Sequence, residues 1–424
     1  MNEIFKRVES KIETKMFEKK AFGEVFTPVE TIDKLLGGLP AEVWTNPKLR
    51  WLDPSAGIGN FSILVYYKLM VSLKEKIPPE KLRSKHIIEK MLFMVELNTS
   101  NCEEARSIFK DINKKSKPNI YNEDYLKWSS FREEKYDIIM SNPPYNTSRL
   151  HLEKHWTTAG RVVIWDKFVK NSFNILKHNG YLCFITPANW RRPLHPLWDL
   201  MSNKQILYLN IFGLKDGLKI FKCGTRFDLY VIENIQRYKH TNVIDENGES
   251  HNIHLSKWDF LPSYNFDIID KIRTNQEDGM SVIHGYGLYT TDKNRDVVRF
   301  EKNDVYKYPV VHGITKNGIK YVWAKNNAGH FGVPKVLLNF NQVQYSYPEQ
   351  NDFDGKYGCS CISFGLVIKS REEGDEILRA INTDIFRDII KSTKWGPFQT
   401  DFRMFKFFKK DWYKIVLAEE NRKN

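Results

Sequence analysis

The sequence lacks any uninterrupted apolar run approaching the roughly 20 residues that cross a bilayer. Its opening, MNEIFKRVESK, is charged where a signal peptide would be apolar. The chain is therefore expected in the cytoplasm of a bacterium, or of the host cell if the source is viral, with no membrane partner. Cysteine is scarce and scattered: Cys102, Cys183, Cys223, Cys359 and Cys361 make an odd set of five. Cys359 and Cys361 are spaced C-x-C rather than as the C-x2-C pairs of a zinc site, so reduced thiols and no metal centre are expected. Internal repeats and low-complexity tracts are missing too, which leaves ordinary globular domains. Acidic residues are in deficit, 52 against 65 Lys and Arg, and the net charge of +13 favours a polyanionic partner through counterion release.

At 424 residues the chain exceeds one ordinary single-core domain. Residues 1–22 read as an amphipathic helix, with Ile4, Phe5, Val8, Ile12, Met16 and Phe17 at near-helical spacing. From Trp51 to about Asn234 short apolar runs alternate with helical stretches. RWLDPSAG, MLFMVEL, NIYNEDYL, YDIIMSNPP, GYLCFITP, ILYLNIF and FDLYVIEN are the strand candidates. That rhythm predicts an α/β fold with a Rossmann-like, mostly parallel sheet whose last two strands form an antiparallel edge hairpin. HTNVIDENGESHN reads as a polar connection. Beyond it lie β-like runs (IHGYGLYTT, VYKYPVVHGI, KYVWAK, PKVLLNF) and a helical portion, GDEILRAINTDIFRDIIKSTKW. The expected division is an N-terminal helix over 1–22, an α/β domain over 23–238, and a mixed α+β domain over 239–424.

Ligands on such sheets sit at the carboxyl ends of the strands. There the first run delivers DPSAGIGNF, in which Gly57 and Gly59 let the backbone approach a ligand where a Cβ would clash. The third glycine of the dinucleotide fingerprint is missing, which argues against NAD. The second run ends in Glu96, suited to accept both hydroxyls of a ribose. The third supplies Asp124, suited to accept a hydrogen bond from an adenine amino group, with Tyr125 and Leu126 able to pack on the ring.

The fourth run leads directly into Asn142-Pro143-Pro144-Tyr145. Paired prolines fix φ and enforce an extended turn, so the Asn142 side-chain oxygen and the Pro143 carbonyl can point at one spot. An aromatic amine is a poor nucleophile because its lone pair is delocalised into the ring. Two acceptors gripping its N–H groups favour pyramidal nitrogen and expose that lone pair to a methyl donor. No dedicated carboxylate base is needed, since the alkylated nitrogen is acidic and can lose its proton to water or a nearby acceptor.

NPPY after a strand, DPSAGIGNF, and the upstream GEVFTP (Gly23 to Pro28) occur in the order found in the gamma-class N6-adenine DNA methyltransferases of restriction-modification systems. The chain resembles that family over about residues 23 to 235. The resemblance implies S-adenosyl-L-methionine as cofactor, with Phe26, Thr27 and Pro28 on its methionine portion and Asp53, Pro54, Ala56, Gly57 and Gly59 beside it. Glu96 would hold the ribose, and Asp124 with Tyr125 the adenine. The resemblance also implies that Asn142 and Pro143 grip the target amine, with Pro144 shaping the turn, while Tyr145 stacks on a flipped adenine in double-stranded DNA. A second aromatic face is expected from Phe221 or Phe227, and spacing from the YVI run favours Phe221.

The C-terminal domain is the expected reader of the target. There Lys391, Lys394, Arg403, Lys406, Lys409, Lys410 and Lys414 accompany Trp395, Phe398, Phe402, Phe405 and Trp412. No PD-(D/E)xK constellation is present, so a restriction endonuclease is expected to be separately encoded, and the enzyme to act as a monomer or weak dimer. Two alternatives remain open. NPPY also serves enzymes that methylate glutamine amides in proteins or guanine amines in RNA, and a non-catalytic DNA-recognition subunit would share the basic charge.

Overall fold

Each apolar run singled out between Trp51 and Asn234 forms a strand of one sheet in a computed structural model, which describes residues 27–146, 162–284, 288–291, 296–340, 346–396 and 400–423. The expected helix over 1–22, Phe26 and Phe398 lie outside the described residues. The strands are β1 (Trp51–Asp53), β2 (Leu92–Glu96), β3 (Asn119–Asn122), β4 (Tyr136–Ser141), β5 (Leu176–Pro187), β6 (Lys204–Phe212) and β7 (Phe227–Gln236). Their order is β3-β2-β1-β4-β5-β7-β6. From β3 to β5 every neighbour is parallel, and β7 runs antiparallel between β5 and β6. β1 and β2 are buried along their whole length, as strands covered on both faces must be.

The sheet continues past the expected boundary at 238. β8 (Thr241–Ile244) pairs parallel with β6, and β9 (Ser250–Ile253) closes an antiparallel hairpin with β8. The polar stretch HTNVIDENGESHN is thus the edge of the sheet. Its polarity has a local cause: Asp245 Oδ1 accepts the Asn247 and Glu249 N–H groups at 2.8 and 2.9 Å, and Gly248 takes φ +87°. Thr241 and Val243 face inward while Asn242 faces solvent.

The first compact unit comprises Met1–Ala188 and Asp199–Lys257, and the second Asn189–Trp198 with Trp258–Asn424. The chain therefore leaves the first unit after β5 and returns ten residues later. Arg191 ties that excursion to the second unit, where its buried guanidinium donates to the Leu261 and Pro262 carbonyls at 2.9 Å each.

The second unit holds two four-stranded sheets. One runs β10 (Val282–Ile283), β17 (Ser363–Val367), β14 (Lys335–Asn339), β15 (Asn351–Asp352). The other runs β11 (Val298–Arg299), β13 (Gly318–Ala324), β12 (Tyr308–Thr315), β16 (Gly358–Cys359). Helices Arg371–Ile381, Asp384–Ser392 and Trp412–Lys423 follow. Among the described residues no helix is long and apolar enough to cross a membrane.

On β14 and β15 a buried ion pair faces itself across the register: Lys335 Nζ donates to Asp352 Oδ2 at 2.7 Å and to the His330 and Val333 carbonyls. Asp352 in turn accepts the Lys356 and Tyr357 amides. Removing one partner strands the other charge, so Asp352→Ala is expected to cost about 3–5 kcal/mol in urea denaturation. The paired change Lys335→Met with Asp352→Leu should cost clearly less; equal losses would contradict this account.

Candidate active site

β1 and β4 lie side by side and parallel, with Trp51 opposite Ile138 and Leu52 opposite Ile139. Their carboxyl ends therefore emerge together at the point where the strand order reverses, and a crevice opens there in doubly wound sheets. From β1 the chain passes through Gly57 at φ +55° and Gly59 at φ +98° before entering helix Asn60–Ser72. A Cβ built on Gly57 would meet nothing within 4 Å, so the glycine answers to conformation and has open space beside it.

Glu96, at the end of β2, anchors this loop. Its Oε2 accepts the Gly57 N–H and its Oε1 the Asn98 N–H, both at 2.8 Å. A carboxylate has roughly four acceptor positions, so this anchoring is compatible with receiving ligand hydroxyls. The Ala56 N–H donates to the Val95 carbonyl at 3.1 Å, and Pro54 and Ala56 are buried beneath the loop. Leu97 stands 53% exposed immediately after Glu96, an apolar side chain in solvent that sequence reasoning missed because nothing but its position beside the acid marks it.

Asp53 is fully buried. Its Oδ1 accepts from the Ser55 N–H and the Ser141 hydroxyl, each at 3.2 Å, while Oδ2 has no partner among the described residues. Ser55 Oγ also lies 2.6 Å from Ser141 Oγ and donates to the Asn142 carbonyl at 3.4 Å, joining the glycine loop to the NPPY loop.

Asn142 is held at its nitrogen end, where Nδ2 donates to Thr27 Oγ1 at 3.0 Å. Its Oδ1 is buried and has no partner among the described residues. Pro143 is buried and Pro144 half-buried. Tyr145 is half-buried as a residue, and its hydroxyl oxygen is buried without a partner among the described residues. Burial, with Asp228 nearby, pushes that phenol well above its ordinary range. Pro28 starts helix Val29–Leu36, accepting the Thr31 and Ile32 amides. A further polar residue missed in the sequence is Asn60: its Oδ1 is buried without a described partner, and its Nδ2 reaches the Thr27 carbonyl at 3.5 Å.

Other expected positions fall differently. Asp124 caps helix Tyr125–Trp128 by accepting the Leu126 N–H at 3.0 Å, and the Glu123 N–H bonds to the Glu96 carbonyl beside it. Tyr125 turns into the core instead of presenting a ring face: its hydroxyl meets Ser172 Oγ at 2.9 Å and its ring stacks on Phe168. Phe221 is 2% exposed on the inward side of helix Leu214–Phe221, edge-on to Phe227 at 4.8 Å. Phe227 is itself buried and stacks on Phe212. Neither offers an open face to a base, because the helix turns Phe221 into the core that Phe227 already occupies.

In the second unit Trp395, Phe405 and Trp412 are buried, Trp395 Nε1 donating to the Leu261 carbonyl and Phe386 stacking on Trp412. The alternation of basic and aromatic residues is thus a core face alternating with a solvated one. Lys391, Lys410 and Lys414 are exposed, Lys394, Lys406 and Lys409 are partly so, Phe402 is half-buried, and Arg403 pairs with Asp401.

Burial raises the Asp53 carboxyl from 3.8 to about 7. The native state then binds this proton more tightly than the unfolded chain does. Its stabilising contribution is present below about pH 4 and lost as pH rises through 7, a change on the order of a few kcal/mol. Denaturation midpoints from pH 4 to pH 8 should show Asp53→Asn gaining on the wild type as pH rises; parallel profiles would contradict the assignment.

Residues 64–221 match the Eco57I restriction-modification methylase family. An uncharacterized adenine-specific methylase of Mycoplasma pneumoniae is 27% identical over 274 residues, covering 47% of this chain and 64% of that protein. The chain thus spans under two thirds of the curated relative it matches. Among solved structures, the type IIL restriction-modification enzyme MmeI in complex with DNA superposes at TM-score 0.53 with 13% identity, over 91% of this chain and 68% of that one. The EcoKI M protein of a type I restriction enzyme gives TM-score 0.39 with 17% identity, over 52% and 48%. Over residues 64–221, then, the chain is a match to the Eco57I restriction-modification methylases, set in a fold it shares with MmeI.

Proposed function

We propose that this chain transfers the methyl group of S-adenosyl-L-methionine to the N6 amino group of a flipped adenine at specific sites in double-stranded DNA. The observation that carries the reading is the Asn142 amide, whose oxygen is buried and unpartnered among the described residues on a loop hydrogen-bonded to the glycine turn. A buried acceptor left unsatisfied is unfavourable by about 1–3 kcal/mol, which a bound donor recovers.

The residues present fit the cofactor. Space beside Gly57, the unpartnered Oδ2 of Asp53, the carboxylates of Glu96 and Asp124, and the exposed Leu97 supply a cradle, an acceptor for an ammonium, acceptors for ribose and adenine, and an apolar ring contact. Thr27 and Pro28 would border its methionine end. When bound, the cofactor supplies an electrophilic methyl group on a sulfonium. The chain's own work is positional. Asn142 Oδ1 and the Pro143 carbonyl accept the two amine N–H groups and draw the nitrogen lone pair out of conjugation. Orienting the reactants in this way is worth roughly 7–11 kcal/mol. Tyr145 stacks on the extruded base, returning about 1–3 kcal/mol against the few that flipping costs.

Adenine in DNA is favoured over glutamine amides and RNA guanine by the adenine-specific relative and the +13 charge. A purely DNA-binding role is disfavoured because Ser55 and Ser141 link the Asp53 carboxyl to the Asn142 backbone, and Glu96 holds the same glycine turn. The second unit would read the target, its exposed lysines contacting phosphates. The protein would act in the cytoplasm as a monomer or weak dimer beside a separately encoded endonuclease.

Two variants test the roles. Asn142→Ala should abolish labelled methyl transfer to plasmid DNA while leaving DNA binding near wild type. Tyr145→Ala should lower turnover about 5- to 150-fold, the loss of one stacking contact. Unchanged turnover in either would contradict the assignment.

A further inference from the structure

We infer that Thr27 is a positioning residue for Asn142: its hydroxyl takes up the amide nitrogen so that the amide oxygen is the end offered to the target amine. This rests on the function proposed above and deepens it. A primary amide has a donor end and an acceptor end of nearly equal shape. Only the acceptor end can grip an amine through its N–H groups; the reverse arrangement sets donors against donors.

When Oδ1 faces the amine, Nδ2 must find an acceptor in the protein. Thr27 Oγ1 lies 3.0 Å from it, and Thr27 is 4% exposed, so water is poorly placed to substitute. A hydroxyl can also donate, but with the amine occupying Oδ1 its useful role toward Asn142 is acceptance.

The Thr27 backbone is anchored at its carbonyl end. Pro28 opens helix Val29–Leu36, and the Thr27 carbonyl receives Asn60 Nδ2 from the helix that follows the glycine turn. One residue therefore couples the start of that helix to the amide that holds the substrate. The family resemblance had given Thr27 a place beside the cofactor alone; the bond to Asn142 adds a task on the substrate side.

Thr27→Val keeps the branched shape and removes the acceptor; Thr27→Ser keeps the acceptor. With cofactor and DNA saturating, Thr27→Val should slow single-turnover methyl transfer about 10- to 100-fold, as expected for stranding a buried donor. The thermal midpoint should stay near wild type, calorimetric affinity for S-adenosyl-L-methionine should fall far less than the rate does, and Thr27→Ser should recover most of the rate. A wild-type rate in Thr27→Val overturns the inference. So does a rate loss matched by lost cofactor affinity, which would make Thr27 a cofactor contact alone, and so does failure of serine to rescue. Should valine disturb folding, Thr27→Ala against Thr27→Ser gives the same comparison. If the wild-type protein itself moves no methyl group to DNA, the functional reading has failed first, and the inference falls with it.

Discussion

Parallel pairing of β1 with β4 brings together two stretches of chain that are nearly ninety positions apart, with Ser141 Oγ bonded to Asp53 Oδ1 across 88 residues. Everything chemically interesting in the first unit follows from that adjacency. The glycine turn after β1 and the proline-stiffened turn after β4 meet because the sheet makes both leave from the same end, which is what the proposed methyl transfer asks of them. Were β4 elsewhere in the order, Asn142 would sit apart from Asp53 and Glu96, which β1 and β2 bring together by their own pairing.

Hydrogen bonds then convert adjacency into fixed geometry. Glu96 clamps the glycine turn, Ser55 and Ser141 connect that turn to Asn142, and Thr27 reaches in from a segment ahead of β1. What these bonds leave unsatisfied is as informative as what they satisfy. Asp53 Oδ2, Asn60 Oδ1, Asn142 Oδ1 and the Tyr145 hydroxyl are buried without partners among the described residues. Other such atoms are scattered through both units, but these four belong to the segments that leave one end of the sheet, where the proposed ligands would satisfy them.

Much of this was legible in the sequence, for identifiable reasons. Central strands buried on both faces must be continuous apolar runs, and so β1, β2 and β4 could be read on that ground, while the part-buried edge strand β3 is read from its place in the alternation. Gly57 and Gly59 proved to need positive φ, and the NPPY turn announced itself by its prolines. Other features were hidden by physics that spacing does not encode. The β8–β9 hairpin is polar because it is an edge, and so it resembled a linker. Phe221 and Tyr125 stand at the expected offsets from their strands, but helix rotation, which a strand-end offset does not reveal, turned both inward. Trp395, Phe405 and Trp412 read together with the neighbouring lysines as one basic and aromatic stretch because core and solvent faces alternate there. The bond between Thr27 and Asn142 joins residues 115 positions apart, and no local pattern could announce it.

The central claim concerns one nitrogen atom. DNA incubated with the protein and isotopically labelled S-adenosyl-L-methionine, digested to nucleosides and resolved by mass spectrometry, reports directly where the methyl group goes. Labelled N6-methyladenine is the expected product. Label on cytosine, label recovered in protein or RNA in place of DNA, or no transfer at all would contradict it.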